Sequence, residues 1–254
     1  MEKLLECIER CRQQAQKNGA PQEITYKCNK CKDTEWILVK NADGYEVARH
    51  CECYEKNEAI RRMARSGISA EDMQKGFADF NTFGEGGLVT AKETAIGYYK
   101  AFDTVENSRA NSLLLCGASG RGKTTLGMAV ANNLIRNKGV NVRYMPYREE
   151  VTRLKQEIMQ GEGAQYQDHM ERLKRARVLF IDDLLKGKVT ESDINIMYEI
   201  INYRYLERLP MIISTELTIP ALVQFDEAIA GRLVEMSKGY TVVFDSSIPN
   251  YRMR

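Results

Sequence analysis

The chain has 254 residues, with 37 Lys+Arg against 35 Asp+Glu and a formal charge of +2. Its length exceeds one average domain, and 43% apolar with 28% charged residues excludes a disordered chain. No run approaches the roughly 18 apolar residues of a membrane span, and charges interrupt the first ten residues, so neither a membrane protein nor a secretory signal is expected and a cytoplasmic location follows.

Taken in chain order, residues 1–17 read as a helix, with Leu4, Leu5, Ile8 and Cys11 on one face. Gly19 and Pro21 stop it. Residues 26–54 form a short cysteine-bearing module, in which Trp36 to Val39 reads as a strand. A turn over 41–44 folds that strand into a hairpin with Tyr45 to Val47. Cys28-x-x-Cys31 and Cys51-x-Cys53, separated by 19 residues, have the spacing of two knuckles gripping one structural Zn²⁺. His50 is the alternative to one cysteine, but adjacent residues rarely both point at one centre, which favours the four-cysteine set. The total of seven cysteines is odd, which argues against a disulfide framework and for a reducing compartment. Cys7 and Cys11 read as apolar residues of a packed helix face, and Cys116 as a core thiol.

A charged helix over 55–65 follows, then Gly67, Gly76, the aromatics Phe77, Phe80 and Phe83, and the flexible stretch 84–87. The expected division is an N-terminal module over 1–75, a linker over 76–90 and a larger domain over 91–254. Residues 1–75 carry 14 basic and 13 acidic residues. Both parts are therefore near neutral, and a nucleic-acid contact would need a local patch.

After Thr90 the pattern alternates. Helices are expected near 91–106, 123–137, 147–159, 191–207 and 226–236, with apolar strands at 112–116, 140–145, 178–181, 211–214 and 241–244. The expected fold class is α/β, a parallel sheet covered by helices on both faces. His169, on a charged helix between Asp168 and Glu171, reads as solvated. Ile194, Met197, Ile201 and Tyr205 form a core stripe on their helix.

The strongest motif is Gly117-Ala118-Ser119-Gly120-Arg121-Gly122-Lys123-Thr124, preceded by a strand and followed by a helix and Thr125. Glycines let backbone N–H groups turn inward onto phosphates, and the following helix adds its positive end. Lys123 supplies charge to the β- and γ-phosphates of ATP, and the Thr124 hydroxyl ligates Mg²⁺. The strand over 178–181 ends in Asp182, expected in the Mg²⁺ shell, and Asp183, expected to orient or deprotonate the attacking water.

With these motifs the chain resembles the DnaC/DnaI-type helicase loaders of the AAA+ ATPases. The resemblance also rests on the aromatic lead-in Phe77–Phe83, Leu184-Leu185-Lys186-Gly187-Lys188, Met211-Ile212-Ile213-Ser214-Thr215, Ala230-Gly231-Arg232-Leu233 and Asn250-Tyr251-Arg252. The cysteine module resembles that of Gram-positive loaders and their phage relatives. The resemblance implies ATP hydrolysis, weak unless partners stimulate it, with Arg232 as an arginine finger reaching a neighbouring subunit. It implies Arg252 as a second sensor and Glu216 where the family usually has a polar Asn sensor. An ionised acid cannot donate a hydrogen bond there. Only 22 residues follow Arg232, so no C-terminal helical lid is expected. The implied partners are the replicative hexameric helicase, single-stranded DNA and further copies of the chain. Lys186 and Lys188, in the loop at the C-terminal edge of the sheet before a helix N-terminus, are expected to touch single-stranded DNA or to complete an adjacent ATP site. A transposition-type AAA+ DNA-binding regulator and a non-hydrolysing, nucleotide-switched adaptor are the alternatives.

Overall fold

The computed structural model describes residues 26–245 except 42 and 43, together with residues 248 and 250. The expected N-terminal helix with Cys7 and Cys11, and the expected sensor Arg252, lie outside the described residues. By its internal contacts the chain forms two compact units that divide between Asn57 and Glu58.

In the first unit, β1 (Trp36–Lys40) pairs antiparallel with β2 (Glu46–His50), Trp36 opposite His50 and Lys40 opposite Glu46. The hairpin is almost wholly exposed; among the described residues of this unit the buried ones are Cys31 and Cys51. A hairpin this small lacks the apolar area to fold by itself. Helix α1 (Cys53–Ser66) begins in this unit and ends in the second.

The second unit is a five-stranded parallel sheet. Its strands are β3 (Leu113–Gly117), β4 (Val142–Pro146), β5 (Val178–Asp182), β6 (Met211–Thr215) and β7 (Thr241–Phe244), in the order β4-β5-β6-β3-β7. Side chains alternate between faces, so each strand feeds two cores. Leu113, Leu115, Phe180 and Ile212 pack with α2 (Gly86–Val105) and α3 (Lys123–Lys138). Leu114, Cys116, Leu179, Ile181 and Ile213 pack on the other face. Helices α4 (Tyr147–Met159), α5 (Gly163–Arg175), α6 (Glu191–Leu206), α7 (Ile219–Phe225) and α8 (Glu227–Met236) cover that second core.

Local caps explain where several helices start. Thr190 accepts from the Asp193 N–H while Asp193 accepts from the Thr190 N–H, a capping box for α6. Thr218 accepts from the Ala221 N–H and Asp226 from the Ile229 N–H, simple N-caps of α7 and α8.

The structure departs from the sequence reading in three places. The units divide inside α1, and residues 58–90 belong to the larger one: Phe80 is buried in its core, and the Asn132 side chain donates to the carbonyls of Asp72 and Lys75. Helix α2 begins at Gly86, inside the stretch read as flexible, because a helix's first turn tolerates glycine. Helix α7 was not foreseen, being short with Pro220 in its first turn, and the charged helix expected around His169 is α5.

Candidate functional site

The phosphate loop grows from β3. Gly117 closes the strand at φ +121°, and a Cβ there would overlap the Phe244 backbone. Gly122, at φ +88°, precedes α3, and a Cβ on it would come within 2.8 Å of the Phe80 ring. The loop between them therefore ends on the N-terminus of a sixteen-residue helix, where free N–H groups and the helix dipole favour an anion.

A cavity of about 290 Å³ lies over this loop. It is lined by Ser119, Gly120, Arg121, Gly122, Lys123 and Thr124, and by Thr125, Asp183 and Glu216 from the expected set. Gly117 and Ala118 lie at its root, the Ala118 carbonyl accepting from Lys123 Nζ at 2.8 Å. Phe80, Phe83, Asn81 and Leu88 form the opposite wall. The sequence shows Phe80 and Phe83 only within an aromatic lead-in and gives Asn81 and Leu88 no role; nothing in their spacing says that they face a ligand. Burial holds the Lys123 ammonium below the usual lysine range, opposed by the charges of Glu216 and Asp183.

The two acids at the end of β5 occupy different environments. Asp182 is buried, and its Oδ1 accepts from Thr124 Oγ1 at 2.9 Å and from Ser214 Oγ, while Oδ2 accepts from the Tyr144 hydroxyl at 3.0 Å. Burial raises its carboxyl above the usual range, and those three hydrogen bonds and the repulsion of Asp183 modify that shift. A threonine hydroxyl beside a carboxylate is the oxygen donor set that Mg²⁺ takes, so these residues fit the ion. Asp183 lies in the cavity at φ +56°, its backbone N–H donating to Ser214 Oγ at 2.8 Å. Ser214 thus fixes both acids, and sequence reasoning gave it no role.

Lys186 is drawn into this site. Its Nζ donates to Asp183 Oδ2 at 2.8 Å and lies 2.9 Å from Glu216 Oε1. Those bonds raise the Lys186 pKa and hold the Glu216 carboxyl below its usual range. Of the two lysines expected to face DNA, Lys186 is held by two carboxylates and Lys188 is exposed. Arg232 is not among the residues lining the cavity of its own chain. Its guanidinium donates to Asn202 Oδ1 at 3.0 Å and the Ala228 carbonyl at 2.8 Å, and stacks over Tyr198 and Tyr205. Glu235, on the same helix, accepts from the Tyr205 hydroxyl. His169 is also corrected: it is 7% exposed and sits between Glu150 and Glu157. Cys116 is a core thiol as expected, its pKa pushed up to about 11 by burial.

In the first unit the sulfurs of Cys28, Cys31, Cys51 and Cys53 all lie within 4.8 Å of one another, with Cys28–Cys51 at 3.7 Å and Cys31–Cys53 at 3.4 Å. A tetrahedral centre with Zn–S bonds of about 2.3 Å sets its sulfurs about 3.8 Å apart. The four thiols therefore fit zinc. The His50 ring stacks between Trp36 and Tyr54, at centroid distances of 3.8 and 3.7 Å, and is not part of the thiol group.

The family described as IstB-like ATP binding protein matches residues 54–235, most of the chain. The chain belongs to that family. Its larger unit is an AAA+ ATP-binding domain of the IstB/DnaC-like kind. The chain is 38% identical over 224 residues to the Phage-like element PBSX protein XkdC of Bacillus subtilis (strain 168), covering 86% of this chain and 82% of that protein. Among solved structures it resembles the DnaC helicase loader at TM-score 0.57 and 19% identity, over 69% of this chain and 99% of that one. It resembles DnaI at TM-score 0.54 and 20% identity, over 70% of this chain and 94% of that one. Among the described residues no helix is long and apolar enough to cross a membrane.

Proposed function

We propose that this IstB-like protein is an ATP-dependent loader that binds a replicative hexameric helicase and delivers it onto single-stranded DNA. The observation that carries the ATPase half of this reading is the site around Asp182 and Asp183. One acid is buried against Thr124, where Mg²⁺ would bind, and the other is open to the cavity beside Lys123. Thr124 and Asp182 would hold Mg²⁺, which would supply positive charge against the phosphates. Lys123 and the N-terminus of α3 hold the β- and γ-phosphates, Asp183 orients a water, and the Phe80/Phe83 wall covers the base and excludes solvent. The loader half is supported by the fold shared with the DnaC helicase loader and by the four-thiol module, which would hold Zn²⁺ and present the hairpin to the helicase. In this reading Arg232, absent from its own cavity wall, serves a neighbouring copy, Arg252 contacts phosphate in cis, and the protein works in the cytoplasm.

The deciding experiment is co-purification with the host's replicative helicase, using the full chain and a variant lacking residues 1–75. Retention of the helicase by the full chain alone supports the reading; no retention by either rejects it.

The ion pair of Lys186 with Asp183 and Glu216 favours one second reading, a nucleotide-switched adaptor that binds ATP without hydrolysing it. Phosphate release in the presence of helicase and DNA separates the two.

A further inference from the structure

A second cavity, of about 290 Å³, lies where α1, the start of β4 and the end of α5 meet. Five of its eight lining residues are arginines, Arg62, Arg65, Arg143, Arg172 and Arg175, and none is acidic. In a chain whose formal charge is only +2, this is the kind of local patch that bulk charge does not reveal. Strands β4 and β5 are parallel, with Val142 opposite Val178. The cavity therefore sits at the N-terminal edge of the sheet, whereas the phosphate loop and Asp182 lie at the C-terminal edge. It is a separate site.

The arginines are incompletely neutralised. Glu58 serves Arg61, Arg62 and Arg65 together, while Arg172 pairs with Asp168 and Arg175 with Glu171. The Arg143 Nε is buried without a hydrogen-bond partner, and the charge of Arg143 acts on Glu150. The end of a helix ordinarily repels anions. Here the carbonyls of Leu173, Lys174 and Ala176 at the end of α5 accept from the fully buried Arg204, which removes that repulsion and adds a fixed cation behind the wall.

We propose that this arginine-lined cavity binds the phosphates of single-stranded DNA. Guanidinium forks match phosphate oxygens in pairs. No aromatic side chain lines the cavity, so bases find no stacking platform and binding reads backbone without sequence. Arginines converging from three elements onto a concave site of this volume admit one or two phosphodiesters of a flexible strand, whereas a rigid duplex would meet only the rim. The inference deepens the loader reading by giving its DNA a place on the protein, and its test needs neither helicase nor hydrolysis.

The test is fluorescence anisotropy of the full chain with a labelled oligothymidylate of about 25 nucleotides, between about 50 and about 200 mM salt. The main variant is Arg65→Gln with Arg172→Gln, whose side chains are 68% and 64% exposed, so folding is spared; Arg143→Gln is the second. The double variant should bind about tenfold more weakly, and its log–log salt slope should flatten by about 1.4, near 0.7 per lost phosphate contact. Arg143→Gln should also weaken binding. The proposal is overturned if wild-type protein does not bind the oligonucleotide, or if both arginine variants keep its affinity and slope. It is also overturned if polyglutamate or duplex DNA binds more tightly and is lost in the same variants. Failure of the helicase to co-purify would instead reject the loader and leave this site standing.

Discussion

Lys186 Nζ lies 2.9 Å from the Glu216 carboxylate, inside the cavity that faces Lys123 and the phosphate loop. A carboxylate at the end of β6 would repel an incoming γ-phosphate; the ammonium beside it offsets that charge. Glu216→Gln should therefore strengthen ATP binding by about three- to tenfold, or about 0.6–1.4 kcal/mol, because Lys186 is then shared between Asp183 and the nucleotide. Lys186→Ala should weaken ATP binding by a similar factor. Titration with a fluorescent ATP analogue measures both. Equal affinities in wild type and Glu216→Gln would mean that Lys186 already cancels the acid.

Binding and hydrolysis should separate at Lys123 and Asp183. Lys123→Ala removes the buried ammonium from the phosphate loop, so nucleotide affinity should collapse. Asp183→Asn keeps the loop and the Thr124–Asp182 pair intact, so binding should persist while phosphate release falls about 10²–10⁴-fold. Undiminished turnover in Asp183→Asn would remove the base assignment.

Why the phosphate loop was legible and Lys186 was not is a matter of sequence range. The loop is eight contiguous residues between a strand and a helix, and each has a local reason for its identity. Asp182 and Asp183 were legible because four apolar strand residues precede them. The partners that orient them, Ser214 and Tyr144, come from neighbouring strands 32 and 38 residues away, and only sheet order brings them together. Lys186 and Lys188 look alike in sequence. A left-handed turn at Asp183 and Leu185 carries Lys186 inward and leaves Lys188 in solvent. His169 was misread for a related reason: its sequence neighbours are charged, but its spatial neighbours come from α4.

The four thiols should hold one Zn²⁺ per chain. Metal analysis of purified protein should find about one equivalent, as a closed tetrahedral site requires. Cys31→Ser should lose the metal and unfold the hairpin, while ATP binding by residues 58–254 survives. Full metal content in that variant would show that the ligand set is wrong.

Arg204 should matter to stability more than any surface charge. It is fully buried and donates to the carbonyls of Leu173, Lys174, Ala176 and Pro210. Burial lowers its pKa to about 9, but the four carbonyl acceptors hold the guanidinium in place. Arg204→Met would fill the volume and leave those carbonyls without donors, at a cost of at least about 3 kcal/mol. A fall in melting temperature of about 6–12 °C is expected. A change under about 2 °C would mean that water replaces the guanidinium.

His169 should give the larger unit a pH-dependent stability. Its Nε2 meets Glu150 and its Nδ1 lies 3.2 Å from Glu157, both on α4, with Arg153 near Glu157. The hydrogen bond to Glu150 chiefly raises the His169 pKa above its ordinary value of 6.5, against the opposing effect of burial. A group whose folded pKa is raised stabilises the fold fully below its unfolded value and loses that contribution as pH climbs through the folded one. Glu150, whose pKa is lowered, remains ionised throughout this range. Stability measured by urea unfolding should therefore decline as pH rises from about 6.5, and His169→Gln should flatten that decline. A variant with the wild-type slope would place the pH dependence elsewhere.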